Sequence, residues 1–206
     1  MRKNRLTSSV RTSLFMLSYS PLFFIIALRE FVNNKAYFHC TEVTVESVMV
    51  FLEKFLFPTI LVVFVFYGFI GTYIFLRNIS SSITENGTDV ILKKINNKNS
   101  ETISYIATYI LPFLFADFSK TIDMISISVV FLMIFSLYVN SSLLIINPIL
   151  NIKYALFEIE YLNPSNEKVT TGMLICKDRE LMLDDKIRIK DIGFKINYGE
   201  LKEDTE

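Results

Sequence analysis

The sequence is poor in the residues that enzyme chemistry usually requires. Its 206 residues hold one histidine, His39, and two cysteines, Cys40 and Cys176. A Cys–His nucleophile pair needs two side chains that meet, which sequence neighbours rarely do, so His39 and Cys40 read as ordinary loop. Neither cysteine stands in a metal-ligand spacing, and the two are far apart in the chain, which speaks against a bridge. No glycine-rich phosphate loop, HExxH or GxSxG motif is present. These absences predict a protein that is not an enzyme and that carries no metal and no cofactor. Net charge is lacking as well: 21 Lys and Arg offset 21 Asp and Glu, so overall charge points to no partner.

What the chain does have is long uncharged runs. Residues 55–76 read FLFPTILVVFVFYGFIGTYIFL, with Glu53 and Lys54 before them and Arg77 after. A helix of that length reaches about 33 Å, enough to cross a hydrocarbon core of about 30 Å. The run does not alternate with a period of two, and only helices or closed barrels satisfy their backbone in lipid, so it reads as a membrane helix. Pro58 would bend it, and Gly68 and Gly71 would let another helix come close.

Three further runs extend the pattern. Residues 12–28, TSLFMLSYSPLFFIIAL, follow a basic start with Arg2, Lys3, Arg5 and Arg11. No small-x-small cleavage site ends them, so they read as an uncleaved first span kinked at Pro21 rather than a signal peptide. Residues 102–118 are uncharged up to Asp117, with a kink at Pro112, and make a marginal span. Residues 124–146 make a full one, and Asn147-Pro148 marks its stop. With four spans, the basic amino terminus, the basic loop 77–101 and the charged tail all share one side, as the positive-inside rule asks. Four spans with both termini in the cytoplasm is the expectation, which also puts Cys40 and Cys176 on opposite sides.

From Lys153 the period changes to two. From Pro148 onward the tail holds nine basic and twelve acidic residues, half of all the charges. KYALFEIEY and VTTGMLIC read as two strands, and LMLDDKIRIKDIGFKINY supplies two more with Gly193 as a bulge or turn. The expected fold is therefore a four-helix transmembrane domain over 1–152 and a small cytoplasmic antiparallel β domain, a sheet or a barrel, over 153–206.

Two sets of residues are candidates for function. Lys186, Arg188 and Lys190 alternate with Ile187 and Ile189, which on a strand puts three cations on one face. That face could meet an acidic partner or anionic lipid headgroups, or simply be solvated, with Asp184, Asp185 and Asp191 diluting it. Direct nucleic-acid binding is not expected of a net acidic tail. Within the apolar runs, Pro58, Pro112 and Asn140 are kink and interhelical polar positions. Asn140 would serve helix–helix hydrogen bonding or, with the two proline kinks and in several copies, an ion path.

Three stretches taken together resemble a known family. LFMLSYSPLFFIIALREF, the kinked TYILPFLF and YVNSSLLIINPILNIKYALFEIEY, leading into a β module, are similar to the membrane subunit of the Kiwa anti-phage defence system. The resemblance implies an oligomer of four-span subunits in the bacterial inner membrane. It also implies a cytoplasmic, DNA-binding partner subunit recruited to that assembly during infection. No catalytic residue carries over. The expected role is a non-enzymatic membrane scaffold and sensor; an oligomeric ion channel or an accessory subunit of a transporter is the alternative.

Overall fold

The computed structural model describes residues 6–39, 44–105, 121–139, 147–163, 168–193 and 195–201. Helices α1 (Ser8–Ser18) and α2 (Ser20–Asn33) are followed by a short 3-10 turn, Lys35–His39. Next come α3 (Val45–Val50), a π turn (Phe51–Phe55) and the long α4 (Leu56–Asn86). Strand β1 (Thr88–Asn97) precedes α5 (Asn99–Tyr105), α6 (Thr121–Val139) and α7 (Pro148–Lys153). The chain finishes with β2 (Ala155–Asn163), β3 (Lys168–Cys176), β4 (Lys186–Gly193) and β5 (Ile196–Leu201).

The four-span bundle with an appended, separate β domain is not what folds. Among the described residues one helix, Val45–Asn86, is long and apolar enough to cross a membrane. The expected first span is broken, because α1 and α2 meet at 58° and pass the same test only if taken together. Pro21 explains the break. It has no N–H to give the carbonyl four residues back, and the Ser20 hydroxyl donates to that Leu17 oxygen instead at 2.8 Å. The apolar part of α6, Ile125–Val139, is too short to count as a span. The expected span 102–118 lies mostly outside the described residues, as do Pro112, Asn140 and Cys40. Pro58 falls in the first turn of α4, directly after the π turn in which the Leu56 N–H bonds the Phe51 carbonyl. Thr44 caps α3, with Ser47 its reciprocal partner in a capping box.

The helices pack through aromatic and small residues. Phe15 on α1 lies against Tyr19 and against Phe131, Phe135 and Tyr138 of α6, with ring centroids 4.7–5.2 Å apart. On α4, a Cβ at Gly68 would stand 2.6 Å from the Leu17 backbone nitrogen, and one at Gly71 would strike Ser13. As the sequence suggested, these two glycines admit a helix at backbone contact, and that helix is α1.

The β part is a closed five-stranded barrel in the order β1-β2-β3-β5-β4, with β4 returning to β1. Of the sheet or barrel expected, the barrel forms, but β3 and β5 run parallel and only the other neighbours antiparallel, which corrects the all-antiparallel pairing. Thr88–Ile91 pair with β4 and Ile91–Asn97 with β2, across a register shift between Leu92 and Lys94. This is the Greek-key connectivity of the OB type of barrel, an architecture that by itself fixes no function. Closure leaves no free sheet edge. The interior is filled by Val90, Leu92, Phe157, Ile159, Leu174, Cys176, Ile187 and Ile189. Gly193, with φ 107°, sits at a second register shift, as expected of it.

The first strand of the barrel comes from the stretch 77–101 that polarity marked as a loop. Past Leu76 the helix continues through RNISSSITEN because Ile79 and Ile83, four residues apart, bury themselves at the barrel. Leu156, Ile175, Ile196 and Tyr198, outside the barrel interior, join the same cluster as Leu14 and Ile83, so helices and barrel share a core.

Candidate functional site at the junction of helices and barrel

Of the three β4 cations, the structure engages two at the joint between α4 and β1. Ile187 and Ile189 point inward and the cations outward, as the alternation required. Arg188 Nε stands 3.4 Å from Asp89 Oδ1, and its aliphatic stem lies where a side chain on Gly87 would go. Lys190 Nζ donates to the carbonyl of Asn86, the last residue of α4, at 3.4 Å. A cation at the carbonyl end of a helix is favourably placed against its dipole. Lys190 thus ties β4 to the end of α4, Arg188 pairs across to β1, and Lys186 stays exposed on the same outer face.

A second cluster lies where α4, α7, β3 and β5 meet. Glu200 Oε1 accepts hydrogen bonds from Ser80 Oγ at 3.0 Å and Tyr198 OH at 3.2 Å, and Lys177 Nζ is 3.8 Å away. Tyr154 meets Tyr198 edge to face, centroids 6.2 Å apart. Burial first, then Tyr154 and Glu200, pushes the Tyr198 hydroxyl well above its usual range. Tyr198 thus stays protonated and acts as a donor, not a base. Beside this cluster opens a cavity of about 460 Å³ whose wall includes Arg77, Lys153 and Lys177.

Asn147 is the residue whose role the sequence reading missed. Its side-chain oxygen accepts from Ile149 N and Leu150 N, capping α7 ahead of Pro148, and its Nδ2 donates to Leu14 O on α1 at 3.0 Å. A helix cap followed by proline was legible in Asn147-Pro148; the bond to α1 was not. Also missed was the β3–β4 loop. Leu92 and the loop exchange backbone hydrogen bonds through Asp184 and Asp185, and Met182 N donates to Asp185 Oδ2 at 2.7 Å. The pinned loop presents Met182 and Leu183, 69% and 64% exposed. Burial pushes the Cys176 thiol up to about 12, so it is no nucleophile at neutral pH. Among the described residues no three His, Cys, Asp or Glu come together as a metal site.

The family model described as anti-phage protein KwaA matches residues 10–198. The chain belongs to the KwaA anti-phage protein family. The match spans α1 through β5, helices and barrel alike, and agrees with the resemblance to a Kiwa subunit. It establishes a role in defence against phage. No curated protein and no solved structure matches the chain.

Proposed function

We propose that this KwaA-family chain is a non-enzymatic scaffold and sensor, seated in a membrane by its helices and recruiting a cytoplasmic partner through its barrel. One observation carries the reading: the exposed large apolar side chains divide by region. They cover α2, α4 and α6, including Phe24, Phe66, Ile70, Tyr73, Leu132 and Leu137. On the described strands and their loops they are confined to Val169, Met182, Leu183 and Leu201. An apolar skin of the first kind far exceeds what a water-soluble monomer exposes and suits lipid. The second kind is a charged surface with few apolar points, of which Met182 and Leu183 stand together, and it suits a protein partner whose hot spot is small and central. The chemistry of defence then resides in the recruited subunit.

Because β1 precedes α6, deleting residues 153–206 would leave an orphan strand and would not isolate the barrel's role. The sharper test is Met182→Asp with Leu183→Asp in the full chain, co-expressed with the cytoplasmic subunit of the same defence system. The expected result is a stable, membrane-inserted protein that no longer brings that subunit down in mild detergent. Undiminished co-purification would remove this loop as the contact, and failure of the wild-type chain to bring it down would remove the recruiting role.

A further inference from the structure

The cavity at the helix–barrel junction has the chemistry of a phospholipid site. Its volume of about 460 Å³ lies within the roughly 300–1,000 Å³ typical of small-molecule sites. Arg77, Lys153 and Lys177 line it, and among the described residues no acidic one does. The Glu200 carboxylate, 3.8 Å from Lys177, already accepts from Ser80 and Tyr198. On the other wall Leu17, Phe69, Tyr73 and Leu76 make the lining apolar. Arg77 is the first charged residue after the uncharged run 55–76, so the cations stand where that run ends.

One buried group asks for a partner. Thr72 is 3% exposed, lines this cavity, and its Oγ1 has no hydrogen-bond partner. A buried hydroxyl left unsatisfied is unfavourable. Thr72 precedes Arg77 by five residues, about 7.5 Å along the helix axis. A cation, and one step deeper a hydroxyl donor beside apolar side chains, matches the order phosphate, ester carbonyl, acyl chain of a glycerophospholipid.

We infer that this cavity binds the headgroup of an anionic membrane phospholipid. Arg77, Lys153 and Lys177 take the phosphate, Thr72 donates to an ester carbonyl, and an acyl chain lies along Phe69 and Tyr73. A lipid is favoured over a soluble phosphate because Tyr73, 65% exposed, and Phe69 carry the lining onto the apolar skin of α4. The inference rests on the membrane seat proposed above and adds to it a lipid preference.

The test uses the full chain in phosphatidylcholine nanodiscs containing a tenth of labelled phosphatidylglycerol, with lipid retained after detergent extraction as the readout. The wild type is expected to retain phosphatidylglycerol at least fivefold over its share of the bilayer. The variant Arg77→Gln, Lys153→Gln, Lys177→Gln should lose that enrichment. A control carrying Lys93→Gln, Lys94→Gln and Lys186→Gln on the barrel should keep it. Thr72→Val removes the orphan hydroxyl at nearly constant volume, so it should fold at least as well while retaining less lipid. Equal retention by wild type and triple variant, or displacement of the lipid by millimolar inorganic phosphate, would overturn the inference. A carbonate wash of vesicles separates the two failures. A chain that stays embedded without lipid preference refutes only the pocket, and one that washes off refutes the membrane seat as well.

Discussion

The helical region and the barrel of this protein share an apolar core but present opposite outsides. In the helices the outside is apolar, with Phe66 61% and Leu137 65% exposed, while Ser13, Ser18, Ser20 and Thr72 are buried. In the barrel Leu92, Ile159, Leu174 and Ile187 are fully buried and the outside carries ion pairs such as Lys94–Glu160 and Lys93–Asp184. Burying an aliphatic side chain stabilises a fold only where the alternative is water. The barrel's core is organised by that drive. The helices add aromatic contacts and glycine-mediated close approach to their own buried leucines and isoleucines, the kind of packing that serves helices seated in lipid as proposed above. Such ion pairs on the barrel are each worth only about 0–1 kcal/mol, so their lesson is solubility rather than stability.

Substitutions can break this contrast from either side. Leu174→Asp puts a charge into the barrel interior, where Leu174 is fully buried. It should cost more than about 4 kcal/mol and unfold the barrel, seen as rapid proteolysis of the β2–β5 region with the helices still protected by lipid. Ile70→Lys, on the exposed face of α4, should cost about 2.5–3.5 kcal/mol in membrane insertion. The same new lysine at exposed Thr171 on the barrel should change stability by less than about 0.5 kcal/mol. Comparable costs at both positions, read by flotation and thermal melting, would erase the distinction between the two surfaces.

Smaller effects sharpen the seam between the regions. Asn147→Ala removes the α7 cap and the bond to Leu14 on α1, and should cost about 1–2 kcal/mol in a detergent melt. At Cys176 burial raises the thiol from an ordinary 9.0 to about 12. The unfolded chain therefore loses this proton first, so stability is unaffected below about pH 9 and falls as pH rises toward about 12. Burial raises Tyr154 and Tyr198 too and adds slope of the same sign. Cys176→Ala should flatten the alkaline part of a urea-midpoint profile without abolishing it. An unchanged slope would mean the thiol is not buried in solution.

Much of the barrel was readable because strand alternation is local: Ile187 and Ile189 between cations, or Phe157 and Ile159 alternating with Glu158 and Glu160, show their faces within a few residues. β1 was not readable, since Val90 and Leu92 are followed by two lysines at the irregularity and by two asparagines, and its neighbours arrive some sixty and a hundred residues later. The polar end of α4 misled for a related reason, as only Ile79 and Ile83 mark the buried stripe in RNISSSITEN. Hydropathy counted spans where Pro21 breaks one run into two helices. The three β4 cations were visible, but that Arg188 and Lys190 are committed to the α4–β1 joint depends on the barrel's closure.

The most direct measurement places a nitroxide label at Phe66 or Ile70 on α4 and at Glu160 or Thr171 on the barrel. It uses a chain whose Cys40 and Cys176 are replaced by alanine, reconstituted in vesicles. Collision with oxygen, which concentrates in lipid, is compared with collision with a water-soluble nickel chelate. The two-surface reading predicts oxygen-dominated relaxation on α4 and nickel-dominated relaxation on the barrel. Strong nickel access at Phe66 and Ile70 would contradict it, placing the apolar skin of α4 in water or against another protein.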